Sequence, residues 1–230
     1  MSRHALLACG LLVGGAAHAQ LGVSVGVESD NRFRGVSLSD GQPDVRLSVA
    51  WDHDSGVFAG ASATGVEFTR GRHAVHWLGY AGVVKRLTPE LSAELGVTGS
   101  TFSGDARYDY SEVFIGLSGE RWSLRAYYSP DYFGFRQATA YVELDANAPL
   151  APLAPRWRVF GHVGALTAAS GPTDDGRNRV RTDMRIGVGF NTLPSVDVQL
   201  AWVTATRGGP YVVDYGTHRS TWVLGATASF

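Results

Sequence analysis

The sequence is short of cysteine, of lysine, of charge and of long apolar runs. Cys9 is its single cysteine, and it lies among the first twenty residues. A chain cleaved beyond that point has no disulfide, no thiolate nucleophile and no cysteine-based metal site. After the first twenty residues there is no apolar stretch of about 18 residues, which excludes a protein built from several membrane-spanning helices.

The formal charge almost cancels, since 20 basic residues stand against 21 acidic ones, and Lys85 is the one lysine. This balance gives no electrostatic reason to expect a nucleic-acid partner. Charged residues make up 18% of the chain, below the roughly 25% of soluble domains. Glycine accounts for 29 residues and aromatics for 11%. A chain rich in glycine and aromatics with little charge favours a β-barrel over disorder.

The first nineteen residues have the pattern of a secretory signal peptide. A short basic start (MSRH) precedes an apolar core (ALLACGLLVGG), and AHA at positions 17–19 is a small-x-small cleavage pattern. We expect cleavage after Ala19 and a mature barrel formed by residues 20–230. The lipoprotein-like LLAC at 6–9 is a weaker alternative because the apolar core continues past it. An uncleaved anchor helix would be too short to span a bilayer.

Beyond that segment the chain alternates apolar and polar residues again and again. Leu21, Val23, Val25 and Val27 alternate with small or polar residues, and similar runs recur as far as Phe230. Twelve such runs can be counted, most of about 9 to 11 residues, which is the length of a tilted strand that crosses a bilayer. The sequence therefore predicts an all-β fold, an antiparallel transmembrane β-barrel of about 12 strands.

The connections between these runs alternate in length. Long connections are predicted at 29–41, 65–72, 99–108, 129–136, 168–179 and 205–218. Short ones are predicted at 52–55, 85–89, 119–121 and 191–195, with a proline-rich connection of medium length at 146–155. Outer-membrane barrels have short periplasmic turns and longer outer loops. We therefore expect both termini on the periplasmic side.

Aromatic residues mark the predicted strand ends. Tryptophans fall beside the short turns (Trp51, Trp122, Trp157) and towards the long loops (Trp77, Trp202, Trp222). Two aromatic girdles at two membrane interfaces would produce this distribution. Phe230 ends the last alternating run. A terminal aromatic residue in this register resembles the signal that the barrel assembly machinery recognises, so we expect that machinery to bind it.

The polar faces of the predicted strands carry charges of both signs, which would line the inside of a barrel. The candidate pore-lining residues are Arg46, Glu94, Glu112, Arg125, Glu143, Arg158, Arg181, Asp183 and Arg185. Opposed rows of arginines and acids select permeants in a narrow pore. The alternative is that these charges pair with each other and fill a closed barrel, since twelve strands lie between filled barrels and open porins.

Other chemistry finds little support in the sequence. The histidines are scattered, and only His73 and His76 lie close enough in sequence to suggest a metal pair. No G-x-S-x-G motif is present. We therefore expect no catalytic residues, no metal and no cofactor. An outer-membrane barrel enzyme acting on lipid and a closed structural barrel remain as alternative functions.

Two turn-rich segments carry a family resemblance. The stretch SDNRFRGVSLSDGQPDV at 29–45 and the stretch YYSPDYFG at 127–134 occur in this order with DYSEVFIGLSG at 109–119 between them. The set resembles the bacterial outer-membrane porin family often called TorF or Gcw_chp, over about Val23 to Leu150. One departure is Asn31, where the family usually has an aromatic residue.

The resemblance implies an outer-membrane barrel. With the charged strand faces it leads us to expect an outer-membrane channel that passes small polar solutes, with membrane lipid and those solutes as its partners. We interpret the two turn-rich segments as ordering their loops; folding inward to constrict a pore is the other interpretation.

Overall fold

The strands with alternating apolar and polar residues close into a ring in the computed structural model. The structure describes residues 20–69, 72–134, 137–150, 154–168, 179–210 and 219–230. The barrel strands are β1 (Gln20–Glu28), β4 (Asp44–Asp52), β5 (Val57–Thr69), β6 (Arg72–Arg86), β7 (Ser92–Phe102), β8 (Tyr110–Ser118), β9 (Trp122–Ser129), β10 (Thr139–Leu150), β11 (Ala154–Ala168), β12 (Val180–Leu193), β13 (Val196–Ala205) and β14 (Ser220–Ser229). Between β1 and β4, strands β2 (Arg32–Phe33) and β3 (Val36–Ser37) form a small separate hairpin. The predicted signal peptide, residues 1–19, lies outside the described residues.

The twelve barrel strands pair antiparallel with their neighbours, and β1 pairs with β14 to complete the ring. At this seam Ser24 lies opposite Ser229 and Glu28 opposite Gly225. The Phe230 amide also donates to the Val23 carbonyl at 2.9 Å. Closure leaves no strand edge unpaired, which is what a β-structure needs inside hydrocarbon. The predicted fold is confirmed. No helix in the described part of the chain is long and apolar enough to cross a membrane.

The outer face of the barrel is apolar along its strands. On β8, Ile115 is 60% exposed, whereas its neighbour Phe114 faces inward and is 5% exposed. Leu95 on the adjacent strand β7 is 56% exposed. Successive side chains on a strand point to opposite faces, so the apolar set of each alternating run meets the surroundings together. Such a band is suited to lipid chains.

The barrel has a turn end and a loop end. The turn end carries Gln20, Phe230 and the described connections 53–56, 87–91, 119–121 and 194–195. The loop end carries the described connections 29–43 and 103–109, which are longer. Three predicted connections are wrong. In 191–195, only 194–195 connect the strands, because β12 runs to Leu193. Residues 65–72 are mostly strand, because Gly65 pairs with Val75 as an ordinary ladder position and only 70–71 separate β5 from β6. Residues 146–155 are likewise mostly strand, with Pro149 placed where the β10–β11 register shifts.

Candidate functional site in the barrel interior

Two segments from the loop end fold into the barrel. We define the plug as residues 29–43 together with 130–134 and 137–138. Its Val36, Leu38, Tyr132 and Phe133 are buried in one apolar cluster, and Tyr132 has no exposed surface. The barrel wall contributes the rest of the buried cluster, namely Val66, Phe102, Tyr110, Tyr141 and Leu166. The two turn-rich segments therefore fold inward rather than only ordering their loops.

Arg34 is the polar centre of the plug. Its guanidinium donates to both carboxylate oxygens of Glu112 on β8, at 2.9 and 2.7 Å. The two side chains are only 5% and 4% exposed. Four aromatic rings surround the guanidinium carbon at 4.2 to 5.4 Å, those of Phe33, Tyr127, Tyr132 and Tyr141. Cation–π attraction and a bidentate charged hydrogen bond thus offset the loss of water around a buried charge.

Arg34 remains protonated in this setting. Burial by itself lowers the pKa of Arg34, but the nearby Tyr132 and Glu112 outweigh that effect and leave the pKa well above its ordinary value. The guanidinium therefore keeps its positive charge inside the plug.

The plug contacts two well-separated parts of the wall. Gly35 has φ +74°, a backbone conformation that suits glycine. A Cβ at Gly35 would lie 2.6 Å from the Cβ of Ala205 on β13 and 2.7 Å from that of Asp183 on β12, two and three strands along the ring from β1. Arg34 reaches Glu112 on β8, four strands from β4 in the other direction. The plug therefore spans the interior.

Asn31 fastens the root of the plug. Its side-chain amide donates to the Thr64 hydroxyl at 3.1 Å and to the Gly65 carbonyl at 3.0 Å. Its side-chain oxygen accepts from Arg46 at 3.1 Å. The residue is 2% exposed. At this position, where the resembling family has an aromatic residue, a buried amide links the plug to β4 and β5.

The interior towards the turn end is built differently. Arg125 donates to Glu94 at 2.5 Å, and Arg158 makes two 2.8 Å bonds to Asp197. A looser group lies further from the turns, where β1 ends and β4 begins: Glu28 lies 3.4 Å from Arg185 and 3.9 Å from Arg46. Its side chains keep a quarter or more of their surface exposed, with 43% for Arg46. Charged side chains in contact with water therefore line the inner wall outside the plug cluster.

A third polar group lies on three adjacent strands, β10, β11 and β12. His162 bridges two carboxylates, with Nδ1 2.9 Å from Asp145 and Nε2 3.0 Å from Asp183. Tyr127 donates to Glu143 at 2.8 Å, and Tyr141 donates to Asp183 at 3.3 Å. The pair considered in the sequence, His73 and His76, does not converge: His73 is exposed, while His76 is buried and stacked 4.5 Å from Phe102.

All nine predicted pore-lining residues lie on inward-facing strand positions. Glu112, Arg181 and Asp183 are buried. The other six are at least partly exposed, namely Arg46, Glu94, Arg125, Glu143, Arg158 and Arg185. A pore-lining role for any of them stays a prediction. Sequence reasoning missed Arg34, Tyr132 and His162, although the first two lie in the quoted FRG and YSPDYFG motifs, which were assigned to the loops.

Solved structures share this architecture at very low identity. A NanC porin matches with a TM-score of 0.61 and 10% identity, covering 91% of this chain and 99% of that one. A KdgM porin matches with a TM-score of 0.57 and 10% identity over the same shares. A KdgM porin in complex with disordered oligogalacturonate gives 0.56 and 11%, again covering 91% and 99%. The shared feature is the fold, a porin-like outer-membrane barrel.

Sequence comparison gives a family. No protein with a curated description matches the chain. A bacterial family, described as "Bacterial protein of unknown function (Gcw_chp)", matches residues 13–230. That span includes every barrel strand and both plug segments. The closed barrel, its inward-folded FRG and YSPDYFG segments and this match agree, and the chain belongs to the Gcw_chp family.

Proposed function

We propose that the protein is an outer-membrane channel for small polar solutes, with its loop end narrowed by the plug. The observation that carries this proposal is the water-accessible charge on the inner wall outside the aromatic cluster of the plug. Arg46, Arg185 and Glu28 keep 43%, 27% and 25% of their side-chain surface exposed inside the ring. A barrel made only for rigidity would fill that space with apolar side chains, as the plug cluster does. Opposed charges in a narrow passage select by charge and size.

The plug sets the size limit in this proposal. It crosses the interior and buries its aromatic side chains against the wall. A path to the loop end passes beside the plug or opens when the plug shifts, so only small solutes would pass. The loop end would face outward and the turn end the periplasm, following the usual arrangement of short turns and longer loops. Export through the predicted signal peptide belongs to the same proposal.

A closed structural barrel is the second candidate, and the packing of the plug favours it. The Arg34–Glu112 pair, enclosed by its aromatic rings, is as buried as the residues of a protein core. In that case the charged, water-accessible part of the interior would be a blind cavity. The two candidates differ in one measurable property, which is ion conduction through the wild-type barrel.

The test is conductance of the purified barrel in planar lipid bilayers. Correct insertion is checked first by different migration of unheated and boiled samples on a gel. We expect discrete conductance steps for the wild-type chain. Replacing both exposed arginines (Arg46→Glu with Arg185→Glu) should shift the reversal potential towards cation selectivity. The matched control is Arg107→Glu, whose 80% exposed side chain lies on the loop 103–109 outside the barrel strands.

A second variant separates a narrow channel from a closed barrel. Replacing residues 32–38 by a glycine–serine linker of equal length removes Arg34 and the hairpin. For a channel we expect larger steps than in the wild type. Silence of the inserted wild type with conduction by the linker variant would support the closed barrel. Silence of both, or a reversal potential unchanged in the double glutamate variant, would contradict the proposed channel.

A further inference from the structure

Three carboxylates and one imidazole gather on the inner wall between β10 and β12. Glu143 and Asp145 follow each other on the inward face of β10, His162 faces them from β11, and Asp183 follows on β12. One ligand atom from each of Glu143, Asp145 and His162 lies within 4.8 Å of the others. The group belongs neither to the plug nor to the arginine pairs of the turn half.

The charge balance of this group differs from the rest of the interior. Glu94, Glu112 and Asp197 each have an arginine partner at 2.5 to 2.8 Å. Within the described part of the barrel, Glu143, Asp145 and Asp183 form no ion pair with arginine or lysine, and the His162 ring bridges Asp145 and Asp183. Three carboxylates against one imidazole leave an excess of negative charge in a partly dry wall. A bound cation would remove that excess.

The hydrogen bonds around the group resemble the outer shell of a metal centre. Asp183 lies 3.0 Å from His162 Nε2 and accepts its hydrogen when Nδ1 is the ligand. Tyr127 holds one oxygen of Glu143 at 2.8 Å and leaves the other free. A carboxylate behind a histidine fixes its tautomer and raises its basicity as a ligand. The side chains of His162 and Glu143 are therefore oriented before any ion binds.

We propose that His162 Nδ1, Asp145 and Glu143 bind one divalent first-row transition metal ion of the Zn²⁺ class. Imidazole nitrogen with carboxylate oxygens suits such ions, and water would complete the coordination. Ligand atoms around a tetrahedral ion stand about 3.4 Å apart, so side-chain rotation must shorten the widest separation of 4.8 Å. On binding, the ion takes the place of the proton shared by Nδ1 and Asp145, and that proton leaves to water.

The ion would enter from the turn half. Asp145 keeps 39% of its side chain exposed and His162 keeps 20%, whereas Asp183 behind them keeps 4%. The two exposed ligands face accessible space and the orienting carboxylate lies in the wall. This arrangement is independent of the proposed channel, because a blind cavity open at the turn end would admit the ion equally well.

The test is Zn²⁺ binding to the tag-free, folded barrel in detergent, after removal of metals with a chelator and in the presence of Mg²⁺. Isothermal titration should give one Zn²⁺ per chain. We expect His162→Gln and Asp145→Asn to abolish that binding, and Asp183→Asn to weaken it about 10–100-fold, as loss of an orienting partner does. Co²⁺ bound in the same place should give visible absorption that Zn²⁺ removes.

Two control variants keep the test sharp. Asp197→Asn removes a lumen carboxylate that has its own arginine, and His53→Gln removes an exposed histidine of a turn-end connection. Both should bind Zn²⁺ as the wild type does. If His162→Gln fails the heat-migration test for folding, Asp145→Asn, at a half-exposed position, decides. Absence of Zn²⁺ binding, binding unchanged in Asp145→Asn, or binding lost in His53→Gln would overturn the proposal.

Discussion

The loop half and the turn half of the barrel share the same strands but have different interiors. Near the loops, Arg34 and Glu112 are about 95% buried among aromatic rings. Near the turns, Arg158 and Asp197 keep 14% and 22% of their side chains exposed. Arg46 and Arg185, elsewhere on the inner wall, also contact water beside Glu28. The outer faces of the two halves do not differ in this way, since both are apolar. The difference teaches that a segment from outside the strands decides whether an inward face becomes a packed core or a wet wall.

The first and largest effect is expected for Arg34→Ala, which leaves Glu112 buried and unpaired. Breaking one side of a buried pair costs about 3–5 kcal/mol. Guanidinium unfolding of the barrel in vesicles, followed by tryptophan fluorescence, measures the change in unfolding free energy. The control is the double variant Arg34→Met with Glu112→Leu, which should recover most of the loss because no charge remains buried. A single variant as stable as wild type would mean that the loop half is not a core.

The second effect concerns the outer face that both halves share. Leu200 is 42% exposed on β13, and its neighbour Gln199 faces inward, within 3.4 Å of Arg185. Leu200→Arg should destabilise the barrel by about 2–4 kcal/mol near the middle of the membrane. Gln199→Arg should cost less, because water and Asp197 offset the repulsion between the new arginine and Arg185.

A gentler substitution at Leu200 tests what surrounds it. Leu200→Phe should be nearly neutral on a lipid face, whereas overpacking a core costs roughly 1–3 kcal/mol. The same unfolding measurement applies to all three variants. Equal damage from arginine at 199 and at 200 would contradict the register, and a strongly destabilising phenylalanine would point to a packed surrounding.

The third effect tests the boundary between the halves. Asn31→Ala removes the amide that bonds to Thr64 and Gly65, and the acceptor used by Arg46. Leaving buried polar groups without partners costs about 1–3 kcal/mol each. We expect a loss of stability within that range, together with a larger bilayer conductance because the root of the plug loosens. Asn31→Asp keeps the acceptor for Arg46 but turns a carboxylate oxygen towards the Gly65 carbonyl oxygen in a buried position, so it should cost at least as much as the alanine variant.

The smallest effect is expected in the turn half. Arg158→Ala removes a bidentate pair with Asp197, but the two side chains are 14% and 22% exposed, so water can solvate the remaining carboxylate. The loss of unfolding free energy should stay near the upper limit measured for exposed pairs, about 1 kcal/mol. Added salt should reduce the difference between wild type and variant. A loss as large as that of Arg34→Ala would remove the contrast between the two halves.

The fold was predictable because period-2 alternation is local. The alternation within the five residues 113–117 predicts that Val113, Ile115 and Leu117 face outward, and all three are exposed in the structure. The ends of some strands were not predictable from turn-forming residues. Gly65 occupies an ordinary ladder position, and Pro149 is tolerated beside a register shift. A glycine or proline predicts a turn only where the position is not paired with a neighbouring strand.

The interior was predictable in its charges but not in its contacts. The alternation correctly predicted that Glu112 and Arg125 face inward, but their partners come from distant parts of the chain. Arg34 is 78 residues from Glu112, and it lies in a loop without periodicity. No local pattern states where such a loop docks, because docking depends on aromatic side chains contributed by several strands. The same holds for His162, whose two carboxylates lie on β10 and β12.

The glycine at the tip of the plug has a mechanical consequence. Gly35 lies against Ala205 and Asp183 on β13 and β12, two and three strands along the ring from β1. Arg34 beside it binds Glu112 on β8, and Asn31 binds Thr64 on β5. The hairpin thus links three separate parts of the wall, and we expect it to resist a change in the cross-section of the barrel whether or not solutes pass beside it.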